Sequence, residues 1–292
     1  MTGEMMISKQ KGIALLQALL ITLLITVMAI GFSYNARDQV EIAKGFSERI
    51  EADLKLDSAK SEIMYLLSVS DMSSSRAIGL PKGWNLYSQP FKLRDGITVE
   101  IQDVAGLYPV NLMGEASHRR WLSAIGMSDE LARDVAEKIN KLQYKSSKST
   151  EWDSGTDKIK RNLLFLQHEY SSLGVPPKMI SKMVATSTIY PTTFMNPLTI
   201  PNDLLPIMYD VNVVNAIIEQ RLVGPMSRTL LTELTGRQDY DSFLLNVQMS
   251  PIGIFRVDIR TKVNQIEVNR SLDIMLQPRS KPYTMLLQER NI

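Results

Sequence analysis

Residues 9–32 read KQKGIALLQALLITLLITVMAIGF. From Ile13 to Phe32 there is no charged side chain. A helix of that length, rising 1.5 Å per residue, spans about 30 Å, the hydrocarbon thickness of a bilayer. Gln17, Thr22 and Thr26 interrupt the run, and each Thr can return its hydroxyl to the helix's own carbonyls. Lys9 and Lys11 precede it, so the positive-inside rule holds the short leader in the cytoplasm and sends the rest of the chain outward. The run is longer than the apolar core of a secretory signal, and no Ala-x-Ala-like cleavage site follows.

The pattern predicts that the helix continues beyond the membrane. Between Asn35 and Leu67 there is no Pro, and Gly45 is the only Gly. Ala43, Phe46, Ile50 and Leu54, then Leu56, Ala59, Ile63 and Leu67, recur with a period near 3.6 and are expected on the packed face. Arg37, Asp38, Glu41, Lys44, Glu48, Arg49, Glu51 and Asp53 take the other side. One helix of about 50 residues, roughly 80 Å long, is expected, apolar all round below and amphipathic above. Three clean heptads are lacking for a coiled coil.

Composition bounds the remainder. The 292 residues are 44% hydrophobic and 22% charged, as in a folded chain. With 33 basic and 31 acidic side chains the net charge is +2, too little for a broad nucleic-acid footprint. Cysteine is absent, so neither a disulfide nor a thiolate metal site is available. No nucleotide loop, H-E-x-x-H or G-x-S-x-G motif occurs, and no enzyme is expected. His118, beside Arg119 and Arg120, reads as a surface residue, and His168 similarly.

Met72–Pro90 is rich in breakers and reads as a loop. Gly96–Asp103 alternates as a strand. Helices are expected at Asp129–Lys141, Lys158–Tyr170, Lys178–Val184, Asn202–Asp210, Val211–Leu222 and Pro225–Leu234. Within them, Trp121–Leu131 aligns with Glu169–Met179 as a weak repeat around Gly126 and Gly174. Each copy reads as a helix, a Gly turn and a second helix, as in a helix-hairpin-helix or SAM-like module. Such turns can bind DNA phosphates, but each carries a single Gly and Asp129 and Glu130 follow the first, so a packed module without a nucleic-acid partner is expected. Strands resume at Phe243–Met249, Ile254–Thr261 and Ile266–Met275, with Phe255, Val257 and Ile259 facing the core and Arg256, Asp258 and Arg260 facing away. The fold class is α+β: a long helix packed on an antiparallel sheet, with a helical insert splitting the sheet in sequence.

The leader ending in Lys11-Gly12, directly before the apolar run, resembles the type III signal of the type IV pilin and type II secretion pseudopilin family. The resemblance implies that prepilin peptidase cuts between Gly12 and Ile13 and that the new amine is methylated. Most pilins carry Glu at the fifth mature position; here that position is Gln17, which cannot supply a counter-charge. The stretch Asp103-x-x-Gly106-x-x-x-x-Asn111-Leu112, the helical insert and the Ser250-x-x-Gly253-x-Phe255-Arg256-Val257 segment resemble the minor pseudopilin family called general secretion pathway protein K.

That family implies a lollipop organisation. Residues 1–12 are the cytoplasmic leader, 13–70 the long helix with its membrane half at 13–32, 71–114 and 238–292 the pilin-like sheet, and 115–237 the inserted helical domain. It implies a single-pass inner-membrane protein with a periplasmic head at the pseudopilus tip, helping to initiate assembly and protein export. I-like and J-like minor pseudopilins, met through the long helix, and the major pseudopilin are the implied partners. A minor pilin of a type IV pilus or DNA-uptake system, or a signal-anchored periplasmic enzyme with an incidental Gly12, are the alternatives. The family also carries an acidic Ca²⁺ loop. Glu151, Asp153 and Asp157 are the local counterpart, set among Lys145, Lys148, Lys158 and Lys160, and read either as calcium ligands or as a solvated loop.

Overall fold

The structure, a computed structural model, describes residues 4–71, 79–94, 96–143, 167–190, 192–224, 226–236, 246–277 and 284–291. It opens with α1 (Glu4–Val69), then β1 (Phe91–Arg94), β2 (Ile97–Asp103) and a two-residue strand β3 (Tyr108–Pro109). Next come α2 (Glu115–Ala124), α3 (Asp129–Gln143), a 3-10 segment at Gln167–Leu173 and α4 (Pro177–Thr186). The short strands β4 (Ser187–Thr188) and β5 (Phe194–Met195) precede a 3-10 turn at Asn202–Ile207, α5 (Val211–Val223) and α6 (Arg228–Thr235). The chain closes through β6 (Asn246–Val247), β7 (Ile254–Val263), β8 (Ile266–Leu276) and β9 (Thr284–Asn291). A long helix, an antiparallel sheet in the order β1-β2-β7-β8-β9 and a helical insert between β2 and β7 make the expected α+β class.

Two compact units divide the chain. The first is Met1–Leu54 with Lys262–Glu267. Here the β7–β8 turn places Asn264 at φ 52°, a left-handed conformation that Asn tolerates. Its Nδ2 donates to Glu48 Oε1 of α1 at 2.8 Å. Ala52 is buried, whereas Ala43, Phe46, Ile50 and Leu54 are exposed. This corrects the expected packed face of the upper helix. Positions two apart on an α-helix differ by about 200°, so burying Ala52 turns Ile50 and Leu54 outward.

The second unit is Lys55–Thr261 with Val268–Ile292. Leu56, Ala59, Ile63 and Leu67 are fully buried, as their spacing predicts. Ion pairs flank this stripe: Arg270 of β8 with Asp57, Lys60 with Glu289 of β9 at 2.7 Å, and Glu62 with Arg94 of β1. β2 and β7 pair from Ile97↔Thr261 to Asp103↔Phe255, and Val99, Ile101, Phe255, Val257 and Ile259 are fully buried. Arg256 is buried too, against expectation, because the insert covers its side of the sheet: its Nη1 donates to Val184 O at 2.7 Å. Asp258 is half-buried and Arg260 exposed, as their alternation predicts.

The insert has its own core around Trp121, Leu122, Val135, Ile139, Tyr170, Met183, Leu204 and Leu231. Trp121 stacks on Tyr108 with centroids 4.6 Å apart. The repeat is real in three dimensions. Gly126 and Gly174 both sit at positive φ, 95° and 72°, where L side chains are strained. The flanking residues Ile125 and Met127, and Leu173 and Val175, are all buried. The two turns are capped crosswise: Lys182 of α4 donates to Ile125 O at 3.0 Å, and Lys138 of α3 donates to Leu173 O at 3.2 Å. Each turn therefore faces an ammonium of its own module, which supports the packed reading.

His118 is a second correction. It is fully buried, not at the surface. Gln143 Nε2 donates to Val110 O at 2.8 Å, which turns its Oε1 toward His118 Nε2 at 3.4 Å. Tyr108 Oη lies 2.9 Å from Nδ1, and burial pushes the Tyr108 phenol up, so it stays protonated and donates. The neighbours Arg119 and Arg120 are exposed and misled the reading. Helix Lys158–Tyr170 lies largely outside the described residues, and so does the start of the Phe243–Met249 strand.

Candidate functional site

The long helix presents two apolar surfaces. Along Ile13–Phe32 every residue is exposed, and the helix is long and apolar enough to cross a membrane, with mean hydropathy 2.6 in its most apolar window. Thr22 Oγ1 donates to Ala18 O at 2.7 Å and Thr26 Oγ1 to Thr22 O at 2.8 Å, so both hydroxyls are satisfied without water. Gln17 stands exposed near the start of this run; Gly12 lies in the helix, just before the first residue whose surroundings are described. Above it, Phe46, Ile50 and Leu54 form a second stripe, 68%, 45% and 63% exposed. These three large apolar side chains at i, i+4 and i+8 share one face of the helix.

The head carries a polar neck where the insert leaves and rejoins the sheet. Asp103, the last residue of β2, is completely buried. Its Oδ1 accepts from Ala105 N at 3.2 Å and Ile252 N at 3.5 Å, and its Oδ2 from Asn196 Nδ2 at 3.0 Å and Thr199 Oγ1 at 2.9 Å. Burial raises its pKa to about 6, while these donors pull it back down. Next to it, Gln102 Nε2 donates to Asp103 O and to Thr199 O, and Asn196 N donates to Ala105 O. Gly106 admits this approach: a Cβ there would lie 2.2 Å from Thr199 O. Asn111 donates to Ile189 O at 2.8 Å. Of the three residues singled out as a motif, Asp103 thus pins the insert to the sheet, while Gly106 and Asn111 fasten the start of the insert to its own Thr199 and Ile189.

A second polar latch lies on the same sheet. Arg256 of β7 faces Asp273 of β8, Nε to Oδ1 3.5 Å, with both side chains buried. Tyr190 Oη donates to Asp273 Oδ2 at 3.1 Å, and burial together with that carboxylate pushes the phenol up. Arg256 Nη2 reaches Ser187 O at 3.2 Å. Alternation could not reveal this pair, since it marked Arg256 as outward.

Among the described residues, no three His, Asp or Glu side chains gather as a metal site. Glu151, Asp153 and Asp157 lie outside the described residues. The hydroxyl–base contacts of Thr199 with Asp103 and of Tyr108 with His118 are buried and join elements of the fold to one another.

No family model matches the sequence, and no curated protein matches it. The fold, however, is similar to a chain in the crystal structure of the GspK-GspI-GspJ complex of the type 2 secretion system of enterotoxigenic Escherichia coli. The identity is 15% and the TM-score 0.52, over 85% of this chain and 98% of that one. At that distance the likeness shows the fold alone.

Proposed function

We propose that this chain is a minor pseudopilin of a type II secretion system, of the K-like kind, acting by packing and not by catalysis. The observation that carries the reading is the co-occurrence of a long N-terminal helix with an antiparallel sheet split by a helical insert, behind a basic leader ending in Gly12. In this reading prepilin peptidase cuts between Gly12 and Ile13, and Ile13–Phe32 anchors the chain once in the inner membrane with the head in the periplasm. Gln17 leaves the fifth mature position without a counter-charge, which suits a subunit at the tip with no subunit ahead of it. I-like and J-like minor pseudopilins dock along α1, where Phe46, Ile50 and Leu54 stand exposed. The bulky head caps the growing end and helps initiate assembly, and the major pseudopilin follows below.

The test is the mass of the mature N-terminus, taken from membranes with and without prepilin peptidase. A peptide starting at methylated Ile13, lost when the peptidase is absent, is the expected result. An intact leader in both samples would return the chain to the signal-anchored proteins.

A further inference from the structure

A cavity of about 520 Å³ lies between the loop after α1 and the end of α5. One wall is the segment Leu80–Pro90. Asn85 rigidifies it: its Oδ1 accepts from Gln89 N at 3.0 Å and its Nδ2 donates to Gln89 O at 2.7 Å. The segment is fastened to β2 by Ser88 N to Ile101 O and Asp103 N to Leu86 O, each 3.0 Å. Trp84 packs on Phe91 with centroids 5.0 Å apart. The other wall is the last turn of α5, with Arg221, Leu222 and Val223, and Met226 lies beyond it.

Arg221 is the unusual member. It is only 5% exposed, and no carboxylate pairs with it among the described residues. Its Nη1 donates to Asn202 Oδ1 at 2.6 Å and its Nη2 to Leu198 O at 3.3 Å, and the guanidinium lies 4.2 Å over the Tyr87 ring. Nε has no partner. A buried guanidinium held by neutral groups alone keeps its charge without compensation, and burial lowers its pKa to about 10, still far above neutrality. None of the residues lining the cavity is acidic, and Lys82 at its rim adds a second cation. Beside it Leu222 and Val223 stand 72% and 83% exposed.

We propose that this cavity is a docking site for an acidic side chain, Asp or Glu, on a segment of a second protein. The carboxylate seats on the cavity side of the Arg221 guanidinium as the counter-charge missing there, and the residues next to it lie on Leu222 and Val223. The exposed apolar pair asks for a polypeptide and not a free small anion. The site is independent of the membrane helix and of the machine the chain serves.

The experiment is calorimetric titration of the full chain in detergent micelles with three probes: Ac-Leu-Glu-Leu-NH₂, Ac-Leu-Gln-Leu-NH₂ and Ac-Leu-Leu with a free C-terminal carboxylate. The Glu peptide should bind roughly tenfold more tightly than the Gln peptide, as expected for one charge-assisted hydrogen bond, with an advantage that shrinks as salt rises. Arg221→Gln should abolish the difference. Because Arg221 also supports Asn202 and Leu198, Leu222→Asp at an exposed position serves as the second variant, and it should abolish the difference with an unchanged melting curve. Equal binding of the Glu and Gln peptides, no binding of either up to about 10 mM, a difference that survives Leu222→Asp, or binding of the free-carboxylate peptide alone would each overturn the proposal.

Discussion

Gly106→Ala is a single methyl group placed where the neck of the insert is tightest. The Cβ would meet Thr199 O at 2.2 Å, Thr199 C at 2.5 Å and Gln102 Nε2 at 2.7 Å. Two of these are backbone atoms, so no side-chain rotation relieves the clash; the Asn196–Thr199 turn must retreat by about 1 Å to reach ordinary contact. Overpacking of this kind costs about 1–3 kcal/mol. The retreat also stretches the bonds from Gln102 Nε2 to Thr199 O, from Thr199 Oγ1 to Asp103 Oδ2 and from Asn196 N to Ala105 O. Leaving even one such buried group unpaired adds roughly 1–3 kcal/mol. A total on the order of 4 kcal/mol corresponds to a drop in Tm of about 8–16 °C for a head of this size. Backbone strain does not enter, because Gly106 is not among the glycines at positive φ. Gly114→Ala is the control: it is also a loop glycine, with φ −97° and nothing within 4 Å of an added Cβ. The assay is thermal and urea denaturation of the full chain in detergent, followed by circular dichroism. If Gly106→Ala melts within 2 °C of Gly114→Ala, to take about the smallest shift such a scan resolves, the neck is not the close contact described and the reasoning fails.

Three further outcomes follow from the same geometry. Asp103, with its pKa raised from 3.8 to about 6 in the folded state, binds a proton there that the unfolded chain has already released. Its contribution therefore falls as pH rises from about 4 to 6, by on the order of 3 kcal/mol, and is flat above; relative to Asp103→Asn, the wild type should show this slope in urea titrations, and equal slopes would remove the assignment. Arg256→Met should cost about 1.5–3 kcal/mol, because it removes the nearer guanidinium and leaves Asp273 with Tyr190 and with Arg290, Nη2 to Oδ2 3.9 Å, and the loss should be non-additive in Arg256→Met/Asp273→Leu; chemical denaturation of both measures it, and strictly additive losses would argue against a coupled pair. Replacing Phe46, Ile50 and Leu54 together by Ser should leave the melting curve within about 1 kcal/mol yet abolish co-purification with I-like and J-like pseudopilins; retained co-purification would place the docking edge elsewhere on the helix.

Much of this architecture was legible because it rests on periodicity. The membrane run, the buried stripe Leu56–Ala59–Ile63–Leu67 and the apolar alternate positions Ile97, Val99 and Ile101 of β2 and Phe255, Val257 and Ile259 of β7 are local patterns that the packing obeys. The upper helix was misread because Phe46, Ile50 and Leu54 do have helical spacing, but spacing alone does not say whether the chain's own core buries them. β1 and β9 escaped notice for a different reason: Phe91–Arg94 alternates over only four residues, and β9 ends in Gln288-Glu289-Arg290, a charged edge without an apolar signature. His118 and Arg256 show the limit of exposure arguments from neighbours. Each is polar, each is buried, and each is accommodated by a partner far away in sequence: Gln143 for His118, Asp273 and Val184 for Arg256. Asp103, Gly106 and Asn111 were visible as a motif, but their partners Asn196, Thr199 and Ile189 carried no signal that could be read locally.

The neck explains how a sheet tolerates so large an interruption. Asp103 pairs with Phe255 at the end of the β2–β7 ladder, so the insert departs and returns at neighbouring points. The entropy of closing such a loop grows only with the logarithm of its length; what must be fixed is the neck. One carboxylate does so, receiving Ala105 N on the departing strand, Ile252 N on the returning one, and Asn196 and Thr199 from within the insert. The sheet face turned to the insert is correspondingly polar, carrying Gln102, Arg256 and Asp273, while the alternate side chains Ile101, Phe255, Val257 and Ile259 supply the sheet's apolar core. Replacing residues 104–254 by an Asn-Gly turn should therefore give a continuous β2–β7 hairpin, because Asp103 and Phe255 already stand opposite each other and two-residue turns of that type match strand twist. The uncovered face would be charged, not apolar, so the shortened chain should remain monomeric in detergent with an intact strand signal in circular dichroism. Aggregation or loss of that signal would mean that the insert is part of the sheet's own core, and that the neck is a consequence of the fold and not its fastening.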